Sequence, residues 1–426
     1  MVFHLEKDRR KTAIAAGVIG NIMEWYDFAL YGYMASILAA LFFPGENQIA
    51  SLLATYGVFA AGFVMRPLGS AIFGWIGDTI SRSAAMLISV AMMAIPTVVL
   101  GLLPTYKTIG LAAPVLLVVI RLIQGLSVGG EFSSSVTYLV ETAPVDKRGL
   151  SGSYANVGSI AGMLLGSSMA SLTTNLLTSS QVEAWGWRLP FLFGAVLGIF
   201  AIWLRRQLPK SSHFQKHNQE RENTSPLKEA FTENFRETAQ AILVASAYGA
   251  LFYISLVFLP NWLKEYVGFP LDRAMAYNTI ATALLLVLVP AMGWFSDQFI
   301  RRTRIIAISI GFFGIGAYPL LLWLSTGTQA AVLVVQLIFA VLTAMLCGAA
   351  PALFVELFPT KDRLSGYSVA YNVGLGVVGG ATPMICTWLI SVTGSKDTLA
   401  AFMFAIAFIG LAALLWMKDR SREPLR

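Results

Sequence analysis

Residues 74–82 read Gly74-Trp75-Ile76-Gly77-Asp78-Thr79-Ile80-Ser81-Arg82, and 219 residues later the chain reads Gly293-Trp294-Phe295-Ser296-Asp297, followed by Arg301-Arg302. Two further landmarks repeat in the same order. Glu141-Thr142-Ala143-Pro144 with Arg148 returns as Glu356-Leu357-Phe358-Pro359 with Arg363, and Asn156-Val157-Gly158 returns as Asn372-Val373-Gly374, at offsets of 215 and 216 residues. Three landmarks in register over half a chain mark a duplicated unit.

The sequence between these landmarks is apolar. Of 426 residues, 56% are hydrophobic and 12% charged, against about 25% charged in an ordinary soluble domain. Apolar runs fall at 13–42, 51–77, 84–104, 111–141, 149–175 and 188–206, and again at 237–263, 272–297, 304–325, 329–357, 364–392 and 397–417. A bilayer span needs about 20 such residues. The pattern predicts an all-α integral membrane protein of twelve transmembrane helices in two six-helix bundles, 1–206 and 237–426. The polar stretch 207–236, rich in Lys, Glu, Asn and Ser, reads as a linker. Two parallel repeats would hold a substrate between them, near the midplane.

The net charge of +7 follows membrane topology and needs no nucleic-acid partner. The N-terminus, the even-numbered loops and the C-terminus carry 23 of the 30 Lys and Arg. The odd-numbered loops carry five, and Arg66 and Arg121 lie within runs. The excess of positive charge on one side predicts that both termini are cytoplasmic in the cell (inner) membrane. Lys7-Asp8-Arg9-Arg10-Lys11 precedes the first run without a small-residue cleavage site, so that run reads as a membrane helix. Cys347 and Cys386 form no spaced motif and read as packing residues. No metal site, cofactor or catalytic residue is expected. His4, His213 and His217 lie outside the apolar runs, so a proton relay within the bilayer falls to carboxylates.

The stretch Gly74 to Ser83 resembles the loop signature G-x-x-x-D-x-x-G-R-R/K of the major facilitator superfamily, with Ser81 and Ser83 departing from it. Glu24-Trp25-Tyr26-Asp27-Phe28, Arg66-Pro67-Leu68-Gly69, Arg121-Leu122-Ile123-Gln124-Gly125 through Gly129-Gly130-Glu131, and Gly186-Trp187-Arg188-Leu189-Pro190-Phe191 resemble its metabolite:proton symporter family. That resemblance covers nearly the whole chain. It implies the major facilitator fold and transport of proline or betaine, citrate, 2-oxoglutarate, another dicarboxylate or shikimate. It also implies that Asp78 and Arg82 take part in a gate.

Charge inside a span is costly and marks function. Glu24, Asp27, Arg66, Arg121 and Glu131 place nearly all of it in the first half. Glu24 and Asp27 share a helix face with Tyr31, and Arg121, Gln124 and Glu131 form one stripe on the fourth span. Counted at about 1.5 Å per residue, Asp27 and Arg121 both lie mid-span. A carboxylate beside an arginine keeps its charge, and takes a proton more readily once the arginine turns to a substrate anion. Asp27 is therefore read as the proton carrier, with Arg121 as its partner or the substrate clamp. A permanent ion pair joining two helices is the bland alternative. Glu24 and Glu131 are second choices for the proton, and Glu131 could equally hydrogen-bond between helices. Arg66 suits a carboxylate, but could instead pair with Glu24 or Asp27.

From the second half, Tyr248, Phe252, Tyr253, Asn278, Tyr371 and Asn372 are candidate uncharged contacts, with plain packing as the alternative. Trp262 reads as an interfacial anchor. Asp78 and Asp297, with Arg82, Arg148, Arg301 and Arg363, read as a cytoplasmic gate of ion pairs. The glycines 158, 162 and 166, and 374, 376, 379 and 380, read as contact surfaces between moving helices.

Proton-driven uptake of a small carboxylate-bearing metabolite by a monomer in the bilayer is the leading reading. Export or exchange is the alternative, although the Gly-Pro motif usual in drug antiporters has no counterpart in 149–189, which contains no proline. A transporter-like sensor or an enzyme finds no support, since HExxH does not occur and no extra signalling domain is evident. The second half has no charge mid-span, which leans toward a zwitterion or monoanion. With only about nine residues after the last span and no coiled coil there, osmotic regulation is not expected.

Overall fold

In a bilayer the backbone must satisfy its own hydrogen bonds, so each long apolar run closes into a helix. The computed structural model describes residues 2–69, 72, 82–128, 131–141, 143–206, 234–359 and 363–425. In the first half the helices are α1 (Val2–Tyr33), α2 (Ala35–Phe42), α3 (Gln48–Val64), α4 (Arg82–Leu102), α5 (Ala112–Ser127), α6 (Glu131–Glu141), α7 (Arg148–Leu176) and α8 (Arg188–Arg206). The second half contributes α9 (Phe235–Tyr253), α10 (Leu259–Trp262), α11 (Leu271–Gln298), α12 (Arg302–Leu324), α13 (Gln329–Leu357), α14 (Arg363–Ala370), α15 (Gly380–Thr393) and α16 (Thr398–Leu415).

Eight helical stretches among the described residues are long and apolar enough to cross a membrane. A ninth crossing is the pair Ser179–Gly186 and Arg188–Trp203, bent by 47°. The other three runs fold as α1 with α2, as α4, and as α5 continued by α6. The twelve apolar runs thus map onto twelve helical passes. Among the described residues four stretches wind more widely than an α-helix: Val182–Gly186, Ile254–Phe258, Leu263–Val267 and Tyr371–Gly379. Such turns free backbone groups from the regular ladder and concentrate at functional places.

Polarity is arranged inside out. Leu415, Ile315, Leu176 and Val287 stand outward, whereas Asp27, Arg66, Arg121 and Arg302 are fully buried. The halves meet where α7 packs on α11 and α3 packs on α15. The glycines of α7 lie at a helix contact within their own half. A Cβ on Gly162 would meet the backbone of Ile22 and Tyr26, and Gly158 and Gly166 likewise lie on α1. Gly374 and Gly379 sit against α9 in the same way, each run tightening its own half. Gly376 and Gly380 alone of these face the other half, toward Arg66 and Phe63.

Trp262 corrects an expectation. Its indole is 1% exposed and packs beside Tyr266, so it is enclosed by protein and does not stand on the surface as an interfacial anchor.

Candidate functional site

The first-half charges converge as their spacing predicts. Asp27 on α1 is fully buried, and its Oδ2 accepts from Arg121 Nη1 at 2.7 Å. Its Oδ1 accepts from Gln124 Nε2 at 2.8 Å and lies 2.7 Å from Thr97 Oγ1. The single Thr97 proton can serve either Asp27 or the Met93 carbonyl, 2.8 Å away. Arg121 Nη1 also donates to Gln124 Oε1 at 2.9 Å, which orients the amide toward Asp27. Two spans, α4 and α5, thus supply the carboxylate with a cation and two neutral donors. Thr97 had no sequence signal, being one threonine in an apolar run.

Arg121 is only half engaged. Its Nε and Nη2 have no protein partner among the described residues, although the side chain is fully buried. Its guanidinium carbon lies 4.5 Å from the centres of both the Phe28 and Tyr31 rings. Tyr31 is fixed there by its hydroxyl, which donates to the Thr55 carbonyl at 3.2 Å. The open Nε–Nη2 edge is the geometry that takes a carboxylate bidentately.

Arg66 forms a second centre one helical turn away. Its Nη2 lies 3.0 Å from Glu24 Oε1, so the Glu24 pairing is the one realised. The guanidinium stands over Phe63 at 4.3 Å, Phe28 at 4.9 Å and Trp25 at 5.9 Å. Phe28 therefore sits between the two cations.

The second half covers this centre with aromatic rings. Tyr253 stacks on Trp25 at 6.2 Å and meets Phe63 edge-on at 5.4 Å, and Phe252 meets Trp25 at 5.5 Å. Tyr371 stacks on Phe132 at 4.5 Å. The Tyr253 hydroxyl and Trp25 Nε1 are buried without a protein partner among the described residues. The other candidates lie apart. Tyr248 donates to Cys347 Sγ at 3.2 Å. Asn372 bonds within its own helix to the Ser368 carbonyl at 2.9 Å. Asn278 donates to the Leu256 carbonyl at 3.2 Å and to Ser167 of the other half at 3.4 Å, so it binds helix to helix. The Glu131 side chain lies outside the described residues.

At the face bearing the C-terminus, ion pairs cross between halves. Asp297 on α11 accepts from the backbone N–H of Gly149 at 2.7 Å and of Leu150 at 2.9 Å. It thereby caps the first turn of α7 in the opposite half, where a carboxylate is favoured by unpaired N–H groups and the helix dipole. Arg148 lies 3.6 Å from Glu356, and Arg363 pairs with Glu141. The second pair is the first with the halves exchanged. Arg301 is a correction: it is exposed, and the buried Arg302 takes the expected place, bonding Asp297 at 3.0 Å and Glu356 at 2.9 Å. Arg301 occupies the N-cap of α12, so its side chain leaves the bundle as Arg302 enters it. Glu141 and Glu356 were visible in the repeat but had not been placed in the gate. Asp78 and the Arg82 side chain lie outside the described residues.

A strap after α16 joins this face. Asp419 Oδ2 accepts from Thr303 N at 2.9 Å and Thr303 Oγ1 at 2.7 Å, capping α12, while Arg148 donates to the Glu423 carbonyl at 2.9 Å. Burial works to raise the Asp419 carboxyl, but the Ser421 and Thr303 donors outweigh it and hold the group below its ordinary range. A depressed carboxyl stabilises the fold fully above its unfolded value, near pH 4, and loses that contribution as pH falls through the folded value. Asp419→Asn is expected to lower the thermal midpoint at pH 7 by the loss of a cap, about 1 kcal/mol. The gap from the parent should narrow below about pH 4, read by unfolding in detergent across pH.

Comparison with known proteins places these features in a family. Residues 12–227 match the family described as sugar (and other) transporters, and residues 241–426 match the family described as the Major Facilitator Superfamily. The chain is 31% identical to a proline/betaine transporter of Salmonella typhimurium, over 99% of this chain and 86% of that protein. It is 33% identical to an ectoine/proline transporter, ProP, of Corynebacterium glutamicum, over 97% of this chain and 85% of that protein. The crystal structure of a D-xylose-proton symporter superposes with a TM-score of 0.72 at 18% identity, covering 97% of this chain and 98% of that one. The likeness at that identity concerns the fold.

Proposed function

The chain belongs to the major facilitator superfamily of membrane transporters, and from that premise we propose that it is a proton-coupled symporter of a small carboxylate-bearing zwitterion of the proline or betaine type. One observation carries this reading. A fully buried Asp27–Arg121 pair shares a guanidinium whose second edge has no protein partner among the described residues.

A substrate carboxylate on Nε and Nη2 would draw Arg121 away from Asp27. The stranded carboxylate would then take up a proton, since an unpaired charge in a dry site is disfavoured. The coupling is reciprocal, so protonation of Asp27 releases Arg121 for the substrate. The cationic end of the substrate fits the aromatic faces of Trp25, Phe252 and Tyr253. Faces of the same cluster already hold the Arg66 guanidinium by cation–π contact. The second half supplies rings and no second cation at this centre, which favours a zwitterion over a di- or tricarboxylate. The relatives named for proline, betaine and ectoine agree with that class.

Alternating access follows from the repeats. The halves 1–206 and 237–426, linked through 207–236, would rock about the central site, with Asp297, Arg302, Glu356, Arg148, Glu141 and Arg363 as the cytoplasmic gate. The excess of Lys and Arg on one side supports a cytoplasmic location for both termini in the cell membrane, and the transporting unit is proposed to be the monomer.

The test is uptake of labelled proline and betaine into proteoliposomes, with and without an imposed pH gradient. Accumulation above the outside level is expected only with the interior alkaline. Uptake unchanged after collapse of the gradient would remove proton coupling. Competition by citrate but not by betaine would overturn the substrate class.

A further inference from the structure

Helix α1 breaks at Met34, and the break is filled from the other half of the protein. In a regular α-helix the Ser36 N–H donates to the Gly32 carbonyl, four residues back. Here the Ser36 N–H donates instead to Oδ1 of Asn261, at 3.3 Å, and the Ser36 hydroxyl donates to the same oxygen at 2.8 Å. The Gly32 carbonyl accepts from Asn261 Nδ2 at 2.9 Å. The carboxamide of one side chain thus stands in for the missing backbone bond, accepting where Gly32 would accept and donating where Ser36 would donate. A side chain inserted into the ladder is a recognised cause of a helix bend.

Everything around this splice is built for close approach. Asn261 is fully buried on the four-residue helix α10, between the wide turns Ile254–Phe258 and Leu263–Val267. It follows Pro260, which has no N–H to give to the ladder. At Gly32 an added Cβ would overlap Val257 of the wide turn before α10. The contact lies at the end of the first span opposite the charged gate, and it joins the two halves by uncharged bonds alone.

The geometry points to Asn261 as the latch of the outer gate, a positioning residue that closes the outer face by splicing into α1. The inference rests on the alternating-access reading above. When the outer halves separate, Gly32 and Ser36 lose the amide and pair with one another, so α1 runs straight in the open form and broken in the closed one. The helix break is therefore one of two states of a switch. Asn261 is the group that selects between them.

Distance distributions between spin labels at Glu46→Cys, in the loop before α3, and Gln329→Cys, the first residue of α13, both exposed, report the outer face directly. Cys347 and Cys386 are buried and need no removal. Asn261→Leu should lower the closed-to-open ratio by at least roughly tenfold, through the loss of three buried hydrogen bonds. Ser36→Ala, which spares both backbone bonds, should shift it less. Gly32→Ala keeps every polar group and should also favour the open form, by wedging Val257 away. In transport the open-shifted variants should show a lower apparent KM from outside with a lower kcat, a split that simple loss of folded protein does not produce. Unchanged distances in both Asn261→Leu and Gly32→Ala would overturn the latch. The distances are read without substrate, so a wild-type protein that transports nothing sinks the symport reading and leaves this test standing. Should Asn261→Leu fail to fold, Gly32→Ala and Ser36→Ala decide the matter alone.

Discussion

Asp27→Asn is expected to abolish accumulation of substrate against its gradient while exchange of substrate across the membrane continues. The amide matches the carboxylate in size but keeps one oxygen, so it can accept from Arg121 or from Gln124 and not from both, as Asp27 does at 2.7 and 2.8 Å. What it loses is the proton that Asp27 is proposed to take when Arg121 turns to the substrate. Without a titrating group, inward and outward steps proceed with no link to the pH gradient, and the inside-to-outside ratio should fall to about one. Exchange should survive at a reduced rate, because Arg121 has lost a buried counter-charge; disrupting such a pair commonly costs about 3–5 kcal/mol when one partner is removed altogether. Counterflow with preloaded proteoliposomes separates the two quantities. Full accumulation by Asp27→Asn would move the proton to Glu24 or Glu131.

The second large effect is expected at the other end of the bundle. Asp297 holds two backbone N–H groups of α7 and the Arg302 guanidinium in one carboxylate. Hydrogen bonds involving a charged partner contribute about 1.5–3 kcal/mol each. Asp297→Asn removes the charge and puts an NH2 group where one of these donors needs an acceptor. The closed-to-open ratio of this face should fall by more than tenfold. Labels at Lys147→Cys and Arg301→Cys, both exposed, would show it as a longer distance, and turnover should drop with the gate ajar. If the distances stay short, the capping of α7 by Asp297 is incidental to gating. Combined with Asn261→Leu, which opens the opposite face, the same substitution should move the equilibrium partway back.

Much of the central site was legible because charge in an apolar span is conspicuous. Asp27, Arg121 and Gln124 were placed together from helical spacing and mid-span depth, and the structure bonds all three. Arg66 was left open between a substrate carboxylate and a pairing with Glu24 or Asp27, and the sequence could not choose between the two pairings because both carboxylates lie within a guanidinium's reach. Neutral groups carry no such flag. Thr97 and Asn261 look like any polar residue in a span, and Asn278 and Asn372 looked no different while serving helix packing. Arg301 and Arg302 are adjacent in sequence, and only the direction in which α12 leaves its N-cap determines which one turns inward.

By itself the sequence determined the membrane, the twelve passes and the duplicated halves, since these depend on the length and period of apolar runs, quantities local to the chain. It also determined that the charge in the middle of the spans belongs to the first half. The tertiary structure decided what those charges face. It gave Arg121 one occupied and one open edge, set Asp297 on the end of a helix from the opposite half, and threaded the Asn261 amide into the break of α1. The first depends on how spans of one half meet, and the other two on how two halves, some two hundred residues apart in sequence, approach within hydrogen-bond distance; no local pattern encodes either.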